Sequence, residues 1–190
     1  MMKSVFTCAT VIVTLAAAGC SSTGGLPELA SSESSAYYLG PGDQVRVLTY
    51  NDPQMSNTFT VADDGTIAFP LVGTVAAAGL TPGGLAQRLS RILSGKGLLH
   101  NPSISVEVAQ YRPIFVLGEV NHPGQYPYIP GMTMQSAVAL AGGFTYRAVT
   151  DTAVDIRTDG MPGGKPVRGK IKPESVLRPS DVITIPERWF

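Results

Sequence analysis

The sequence has 190 residues, of which 44% are hydrophobic and only 15% are charged, and this composition excludes an intrinsically disordered chain. Lys plus Arg and Asp plus Glu number 14 each, so the net charge gives no reason for a nucleic-acid partner and does not by itself attach the chain to a membrane. The length suits one or two small domains, each with its own core.

The N-terminal segment has the pattern of an export signal. Lys3 precedes an apolar stretch from Val5 to Ala18, and small residues lead from there to Cys20. As a helix these fourteen residues would span about 21 Å, which is short of the roughly 30 Å hydrocarbon core of a membrane. We therefore expect residues 1–19 to be a lipoprotein signal peptide that is removed, rather than a permanent transmembrane helix.

The residues around Cys20 resemble a bacterial lipobox. The string Ala17-Ala18-Gly19-Cys20 has the small residues of that motif, with Ala17 where lipoproteins usually have Leu. Cleavage would remove Cys8 and leave Cys20 as the one thiol of an exported chain, and acylation would consume it. The resemblance implies a lipid on Cys20, and the alternative is an ordinary cleavage site beside an incidental cysteine.

The residues after Cys20 predict a flexible tether and an outer-membrane location. Residues 20–36 are rich in Ser and Gly, which predicts a flexible link between the lipid and the folded body. Ser21, rather than Asp, resembles the lipoproteins that are carried on to the outer membrane. The mature chain would hold 13 basic and 14 acidic side chains, so its lipid rather than its net charge would attach it there.

Turns and strands alternate in the first part of the body. A turn at residues 39–43 leads into a strand at 44–50, in which Val45 and Val47 alternate with polar residues. The turn Asp63-Asp64-Gly65 predicts a hairpin between strands on either side of it, at 58–61 and 66–69. Two carboxylates without further spaced oxygen ligands do not favour a calcium loop at this turn.

A helix and one more strand complete this first unit. Thr81 is a good N-cap, with Pro82 at the first helical position and Gly95 as the stop signal. Residues 103–110 alternate between apolar and polar side chains, as expected of a half-buried strand. The apolar residues of the helix fall on one face, which would pack on a sheet: Leu85, Leu89, Ile92 and Leu93.

A second unit starts near Arg112. Residues 114–117 predict a short strand, and the glycines and proline of residues 118–126 predict a tight reversal into another strand. Thr133 caps a helix that ends at Gly142-Gly143. The apolar residues of that helix are Met134, Ala137, Val138 and Ala141.

The remaining strands are predicted at residues 153–158 and 181–185, separated by a loop at 159–164. Strands, one helix and then further strands in each unit predict an α+β fold of two small sheet-plus-helix domains.

The two units share a short internal similarity, in which each copy marks a turn into a strand. It reflects either common turn chemistry or true repetition. The matching residues, at identical spacing, are Leu39, Pro41, Asp43, Val45 and Val47 in the first copy and Leu177, Pro179, Asp181, Ile183 and Ile185 in the second.

These motifs resemble those of bacterial outer-membrane polysaccharide export proteins. In the first unit, Leu39-Gly40-Pro41-Gly42-Asp43 and Asp64-Gly65-Thr66-Ile67, followed by Pro70 and Gly73, resemble their polysaccharide export domain. The second unit resembles their soluble-ligand-binding β-grasp domain, by the strings Val116-Leu117-Gly118-Glu119-Val120, Pro123-Gly124-Gln125-Tyr126 and Ala141-Gly142-Gly143 and by the ending Pro179 to Pro186.

The resemblance implies a domain organisation and a role. A polysaccharide export domain would occupy residues 37–111 and a β-grasp domain residues 112–190. The protein would be lipid-anchored at the periplasmic face of the outer membrane. Its subunits would form a homo-oligomeric ring around a periplasmic channel for capsular or exopolysaccharide. An inner-membrane polysaccharide co-polymerase, a kinase that regulates chain length, would be its partner, and no cofactor is implied.

The residues give little support to an enzyme. His100 and His122 are the only histidines, each sits beside an Asn and near a Pro, and no cysteine of the mature body can join them in a metal cluster. No motif places two carboxylates across a cleft as in a glycosidase. We predict no catalytic residues and no metal site.

One basic run, comprising Lys165, Arg168, Lys170 and Lys172, stands out in the second unit. It could contact an acidic glycan or a lipid phosphate, but a solvated strand or loop face is the interpretation favoured by the pattern.

Two further expectations concern assembly. The alternative function is that of a periplasmic lipoprotein that binds glycan or peptidoglycan as a scaffold, without making a conduit. Observation of a ring of subunits would favour export over this alternative.

The C-terminal tail is short. Five residues follow Ile185, ending in Trp189 and Phe190, and these are too few for a spanning helix of roughly 20 residues. A separate outer-membrane β-barrel protein is therefore expected to complete the conduit.

Overall fold

The computed structural model of the protein describes residues 26–29, 36–158 and 164–188, and it has the predicted α+β fold. The predicted signal peptide, Cys20, most of the predicted tether, the greater part of the loop at 159–164 and the last two residues lie outside the described residues. In chain order the elements are β1 (Gln44–Thr49), β2 (Asn57–Thr60), β3 (Thr66–Phe69), β4 (Gly73–Ala76), α1 (Pro82–Gly95), β5 (Ile104–Gln110), β6 (Ile114–Gly118), β7 (Gly124–Tyr126), α2 (Met134–Leu140), β8 (Ala153–Arg157), β9 (Val167–Ile171) and β10 (Val182–Ile185).

The first unit packs α1 against an antiparallel sheet of order β2-β1-β5. Val45 and Val47 of β1 are fully buried, because the alternation of the strand directs them to one face. Leu85, Leu89 and Leu93 of α1 are buried in the same hydrophobic cluster, as their helical spacing predicts. The Thr81 hydroxyl accepts a hydrogen bond from Gly84 N at 3.1 Å, which confirms the predicted N-cap.

The predicted hairpin around Asp63-Asp64-Gly65 is wrong in its pairing. The turn is present, since Gly65 N donates to Ala62 O at 2.8 Å, but the strands on either side join different sheets. β2 pairs with β1, and β3 pairs with β4, a strand that the sequence did not predict. The chain therefore passes from one sheet to another at this tight turn.

The second unit is a mixed five-stranded sheet of order β7-β6-β10-β8-β9 with α2 on one face, a β-grasp-like arrangement. β6 and β10 are parallel and lie at its centre, and the other neighbouring strands are antiparallel. Thr133 and Ser136 form a capping box at the start of α2. The inward residues of the strands and of α2 form a hydrophobic cluster separate from that of the first unit.

The edge strand β9 was not predicted as a strand, and part of the predicted tether covers it. Leu29 N donates to Lys170 O and Lys170 N donates to Pro27 O, both at 2.8 Å. Glu28 and Lys170 form a parallel bridge. Residues 26–29 are thus held along the sheet edge, whose open backbone groups would otherwise face water.

The helices of the described residues include none with the length and apolarity needed to cross a membrane.

Candidate functional site

The sequence predicts one site residue, Cys20, and no catalytic or metal-binding residue. Cys20 lies outside the described residues, and Leu26 is the first described residue after it. The two histidines, His100 and His122, are exposed and lie in loops of different units. Within residues 26–29, 36–158 and 164–188, no group of three or more His, Cys, Asp or Glu side chains could hold a metal ion.

The motif residues of the second unit come together in one cluster of loops at the end of α2. We call residues 118–126 and 141–147 the glycine loop cluster. Asn121 N donates to Gly143 O at 3.1 Å, and His122 N donates to Ala141 O at 2.9 Å. The Asn121 side-chain amide donates to Gly142 O at 2.7 Å. The strings that are far apart in sequence therefore form one hydrogen-bonded surface.

Gly142 has to be glycine in this cluster. Its φ of +80° is a left-handed conformation, and a Cβ atom there would lie 2.5 Å from His122 Nδ1. The His122 carbonyl also accepts a hydrogen bond from the Tyr126 hydroxyl at 2.5 Å, so the loop is held from two sides. The lack of a side chain at Gly142 therefore lets the loop that carries Asn121 and His122 pack closely against it.

The exposed side chains of the glycine loop cluster suit a polar, hydroxyl-rich ligand. Asn121, His122 and Gln125 are exposed and carry hydrogen-bond donors and acceptors. The ring of Tyr146 is 87% exposed, and an aromatic face of this kind can pack on an apolar face of a ligand. The carboxylate of Glu119 is less available to a ligand, because it accepts a hydrogen bond from the Thr145 hydroxyl at 2.5 Å.

A second cluster, around the fully buried Asp43, lies where the two units join. Asp43 Oδ2 accepts hydrogen bonds from Gly40 N at 2.9 Å and from the Tyr37 hydroxyl at 2.6 Å. Asp43 Oδ1 accepts one from Arg112 N at 3.1 Å, and Arg112 Nε lies 3.3 Å from the same oxygen. Because Arg112 precedes β6 by two residues, this carboxylate ties the first unit to the start of the second.

Three tyrosines extend this junction. The ring centroids of Tyr37 and Tyr111 are 5.0 Å apart, and those of Tyr111 and Tyr128 are 5.5 Å apart, both edge to face. Burial raises the pKa of Tyr37 above its ordinary value, and the Asp43 carboxylate raises it further, so the hydroxyl remains a donor. The tyrosine contacts therefore reinforce the link from Asp43 to the second unit.

Asp181 repeats the role of Asp43 at the matching position of the second unit. Its Oδ2 accepts a hydrogen bond from Arg178 N at 2.7 Å, as Asp43 does from Gly40 N. Each aspartate also donates its own backbone N–H to the carbonyl three residues earlier, at 3.1 Å in both copies. The internal similarity of the sequence therefore encodes the same turn twice.

Asp181 belongs to a buried group of three ionisable side chains, with Arg157 and Asp155, that was not predicted from the sequence. Arg157 Nη2 lies 2.9 Å from Asp181 Oδ2 and 3.0 Å from Asp155 Oδ2. The contact with Asp155 lacks the alignment of a hydrogen bond, so both Asp155 oxygens are buried without a hydrogen-bond partner among the described residues. The sequence does contain one indication of this group, because the alternation of β8 directs Ala153, Asp155 and Arg157 to one face of the strand.

This arrangement alters the acidity of both carboxyl groups. Burial, together with the neighbouring Asp181 carboxylate, raises the pKa of Asp155 to about 7. Burial also raises the pKa of Asp181 above its ordinary value, against the effect of Arg157. One arginine thus serves two carboxyl groups, and Asp155 keeps its proton at pH values below about 7.

The raised pKa of Asp155 predicts that the protein loses stability as pH rises. Between the unfolded pKa near 3.8 and the folded pKa near 7, the folded state binds more protons, so the free energy of unfolding falls with rising pH. Asp155→Asn, which mimics the neutral acid, should gain about 1–3 kcal/mol at pH 8 and only about a third as much at pH 5. Urea unfolding at the two pH values measures this. Asp64→Asn, at an exposed carboxylate, is the control, and an unchanged pH profile in Asp155→Asn would contradict the assignment.

The sequence was compared with known families and proteins. A family model described as polysaccharide biosynthesis/export protein matches residues 31–109, and a model of the SLBB domain matches residues 113–169. The chain is 37% identical over 153 residues to the exopolysaccharide production protein ExoF of Rhizobium meliloti (strain 1021), with 75% of this chain and 34% of that protein covered.

Two further relatives are export proteins by name. The chain is 24% identical over 193 residues to the EPS I polysaccharide export outer membrane protein EpsA of Ralstonia nicotianae (strain ATCC BAA-1114 / GMI1000). It is 25% identical over 191 residues to EpsA of Ralstonia solanacearum, and both alignments cover 83% of this chain and 49% of the relative. The chain therefore spans between a third and a half of the length of these curated relatives.

The matched regions agree with the structural elements described above. The export-protein match covers the elements from β1 to β5, and the SLBB match begins just before β6 and includes the glycine loop cluster. With both domains present in this order, the chain belongs to the polysaccharide export protein family.

Proposed function

We propose that this protein is a lipid-anchored outer-membrane protein that forms the periplasmic part of an export channel for capsular or exopolysaccharide. The succession of an export-protein domain and an SLBB domain in one chain carries this proposal. The names of ExoF and EpsA support it, since one is an exopolysaccharide production protein and the other a polysaccharide export outer membrane protein.

The proposed role is passage of the polysaccharide without chemical change to it. Polysaccharide export proteins are not an enzyme family, and the geometry of the glycine loop cluster supports contact rather than catalysis. Asn121, His122 and Tyr146 offer hydrogen bonds and an aromatic face to a sugar, whereas Glu119 is engaged by Thr145. We assign the glycan-contacting surface of the second unit to this cluster.

The proposed assembly has three kinds of partner. Copies of this chain form a homo-oligomeric ring, because a conduit has to enclose a channel. An inner-membrane chain-length-regulating kinase delivers the polysaccharide to the ring. A separate outer-membrane protein continues the path to the cell surface. A scaffold that only binds glycan or peptidoglycan would need no ring.

Lipidation at Cys20 is the first test of this proposal. Cys20→Ser removes the thiol that would be acylated, and the variant is expected to lack acyl mass and to leave the membrane fraction. Intact mass spectrometry of the purified wild-type protein should show an acylated chain that starts at Cys20. Cys8→Ser is the matched control and should change nothing after processing. A mature chain that starts elsewhere would refute the anchor.

Loss of the gene is the second test. We expect a deletion strain to make polysaccharide repeat units but to lose nearly all polysaccharide outside the cell, because the conduit is missing. Secreted and cell-associated polysaccharide are quantified in the deletion strain and after complementation with the wild-type gene. Normal secretion in the deletion strain, or cleavage of glycan by the purified protein, would overturn the proposed function.

A further inference from the structure

The segment closest to the proposed lipid is fixed to one edge of the second unit. Pro27 and Leu29 bond to the backbone of Lys170 on β9, and Glu28 Oε1 lies 2.9 Å from Lys172 Nζ. Gly169 makes this approach possible, because a Cβ there would lie 2.7 Å from Pro27 O. Leu29 also packs on the hydrophobic core of the second unit. The β9 edge is thus the part of the fold to which the N-terminal segment is attached.

The length of chain before this segment limits how far β9 can lie from the membrane. Five residues lie between Cys20 and Leu26, and even fully extended the six steps from one to the other reach no more than about 21 Å. This step rests on the proposed lipidation of Cys20. A lipid at that position would keep β9 close to the headgroups of the leaflet that holds it.

The same edge carries a cluster of basic side chains. Of the thirteen basic residues of the mature chain, four lie at β9 or beside it, and one of these, Lys172, pairs with Glu28. Gly169 is buried beneath Pro27 and Leu29, and Ile171 lies in the hydrophobic core on the same face, so strand alternation directs Arg168 and Lys170 to the opposite, open face of the sheet. The four basic residues are Lys165, Arg168, Lys170 and Lys172.

Apolar side chains share this open face. Phe115 and Leu117 of β6 point away from α2 and retain 37% and 41% exposure. The strand register places Phe115 opposite Val182, and Ile156 opposite Arg168, so apolar residues run across the sheet to its basic edge. An exposed apolar surface bordered by Lys and Arg is typical of proteins that lie on anionic membranes.

We propose that this open face of the second unit, from Phe115 and Leu117 to Arg168 and Lys170, rests on the anionic phospholipid headgroups of the leaflet that holds the lipid anchor. The basic side chains pair with lipid phosphates, and the aromatic ring of Phe115 lies at the headgroup level. The lipid at Cys20 supplies attachment, and the sheet face sets the orientation of the subunit on the membrane. The glycine loop cluster is then held in a fixed direction relative to the bilayer.

The experiment attaches the mature chain chemically, through the Cys20 thiol, to a maleimide lipid in vesicles. One set of vesicles contains phosphatidylcholine alone, and the other also contains phosphatidylglycerol. Acetylation of Lys170 is followed by mass spectrometry, with the exposed Lys96 of α1 as internal reference. We expect Lys170 to be acetylated about fivefold more slowly on the anionic vesicles, and the protection to disappear at high salt.

Charge reversals make the test specific. Arg168→Glu should reduce the protection of Lys170 at least about threefold. Arg91→Glu, at another exposed arginine, on α1, should leave it unchanged. Equal labelling of Lys170 on both vesicle types would overturn the proposal. Equal protection on both would also overturn it, because a second copy of the chain would then be covering the face. Since the anchor is attached chemically, absence of acylation in cells would refute the lipoprotein assignment without changing this result.

Discussion

Replacing Asp43 with alanine is expected to lower the free energy of unfolding by about 3–5 kcal/mol, since it leaves the buried Arg112 without its counter-ion. The same change removes the acceptor for Gly40 N and for the Tyr37 hydroxyl, and each unpaired buried donor adds to the cost. Because Arg112 leads directly into β6, we expect the two units to lose their fixed connection as well.

The comparison carboxylate is Asp64, which accepts hydrogen bonds from Thr66 N at 2.9 Å and from the Thr66 hydroxyl at 2.7 Å but is exposed. Asp64→Ala should cost about 1 kcal/mol or less. Urea unfolding of the Cys20→Ser mature chain measures both variants. Equal losses for the two aspartates would show that burial and the contact with Arg112 do not stabilise the junction.

Replacing Gly118 with alanine is expected to be the second large loss, at least about 3 kcal/mol. Gly118 has a φ of +84°, and a Cβ atom there would lie within 2.1 Å of Ile185 O. That carbonyl already accepts a hydrogen bond from Glu119 N at 3.0 Å, at the end of the parallel pairing between β6 and β10. The added methyl group would push the central strands apart.

Gly124 of β7 is the matched control, because a Cβ there would meet nothing within 4 Å. Gly124→Ala should change the free energy of unfolding by no more than about 1 kcal/mol. Amide hydrogen exchange of β10 localises the damage, since it should become fast in Gly118→Ala and stay slow in Gly124→Ala. Slow exchange in both variants would contradict the assigned role of Gly118.

Local signals in the sequence were enough to predict most of the elements. Thr81 and Thr133 cap the two helices as predicted, since a cap depends on contacts within a few residues. The alternation of Val45 and Val47 identified β1 for the same reason. The α+β fold class followed from the order of these local elements.

Pairing between strands is a long-range property, and the sequence predicted it poorly. The turn at Gly65 suggested that β2 and β3 pair with each other, but the competing partners β1 and β4 prevail. β9 was not placed as a strand of the sheet, because its sequence combines basic residues with Gly169 and predicted only a solvated strand or loop face. The glycine there is required by the N-terminal segment, which a local pattern does not reveal.

The buried charges of the candidate site show the same limit. Asp43 and Asp181 were recognised as turn residues, but their partners Arg112 and Arg157 lie 69 and 24 residues away in the sequence. Nothing in a turn motif indicates which arginine will approach it in the fold. The glycine loop cluster was likewise predicted as three separate strings, and only the fold joins them.

Electron microscopy of the wild-type protein, extracted with its lipid from native outer membranes, tests the proposed channel most directly. We expect closed rings of identical subunits around a central opening, with the glycine loop cluster of each copy at an equivalent position. Monomers alone, or open assemblies that enclose no channel, would contradict the proposed export function and favour a glycan-binding scaffold.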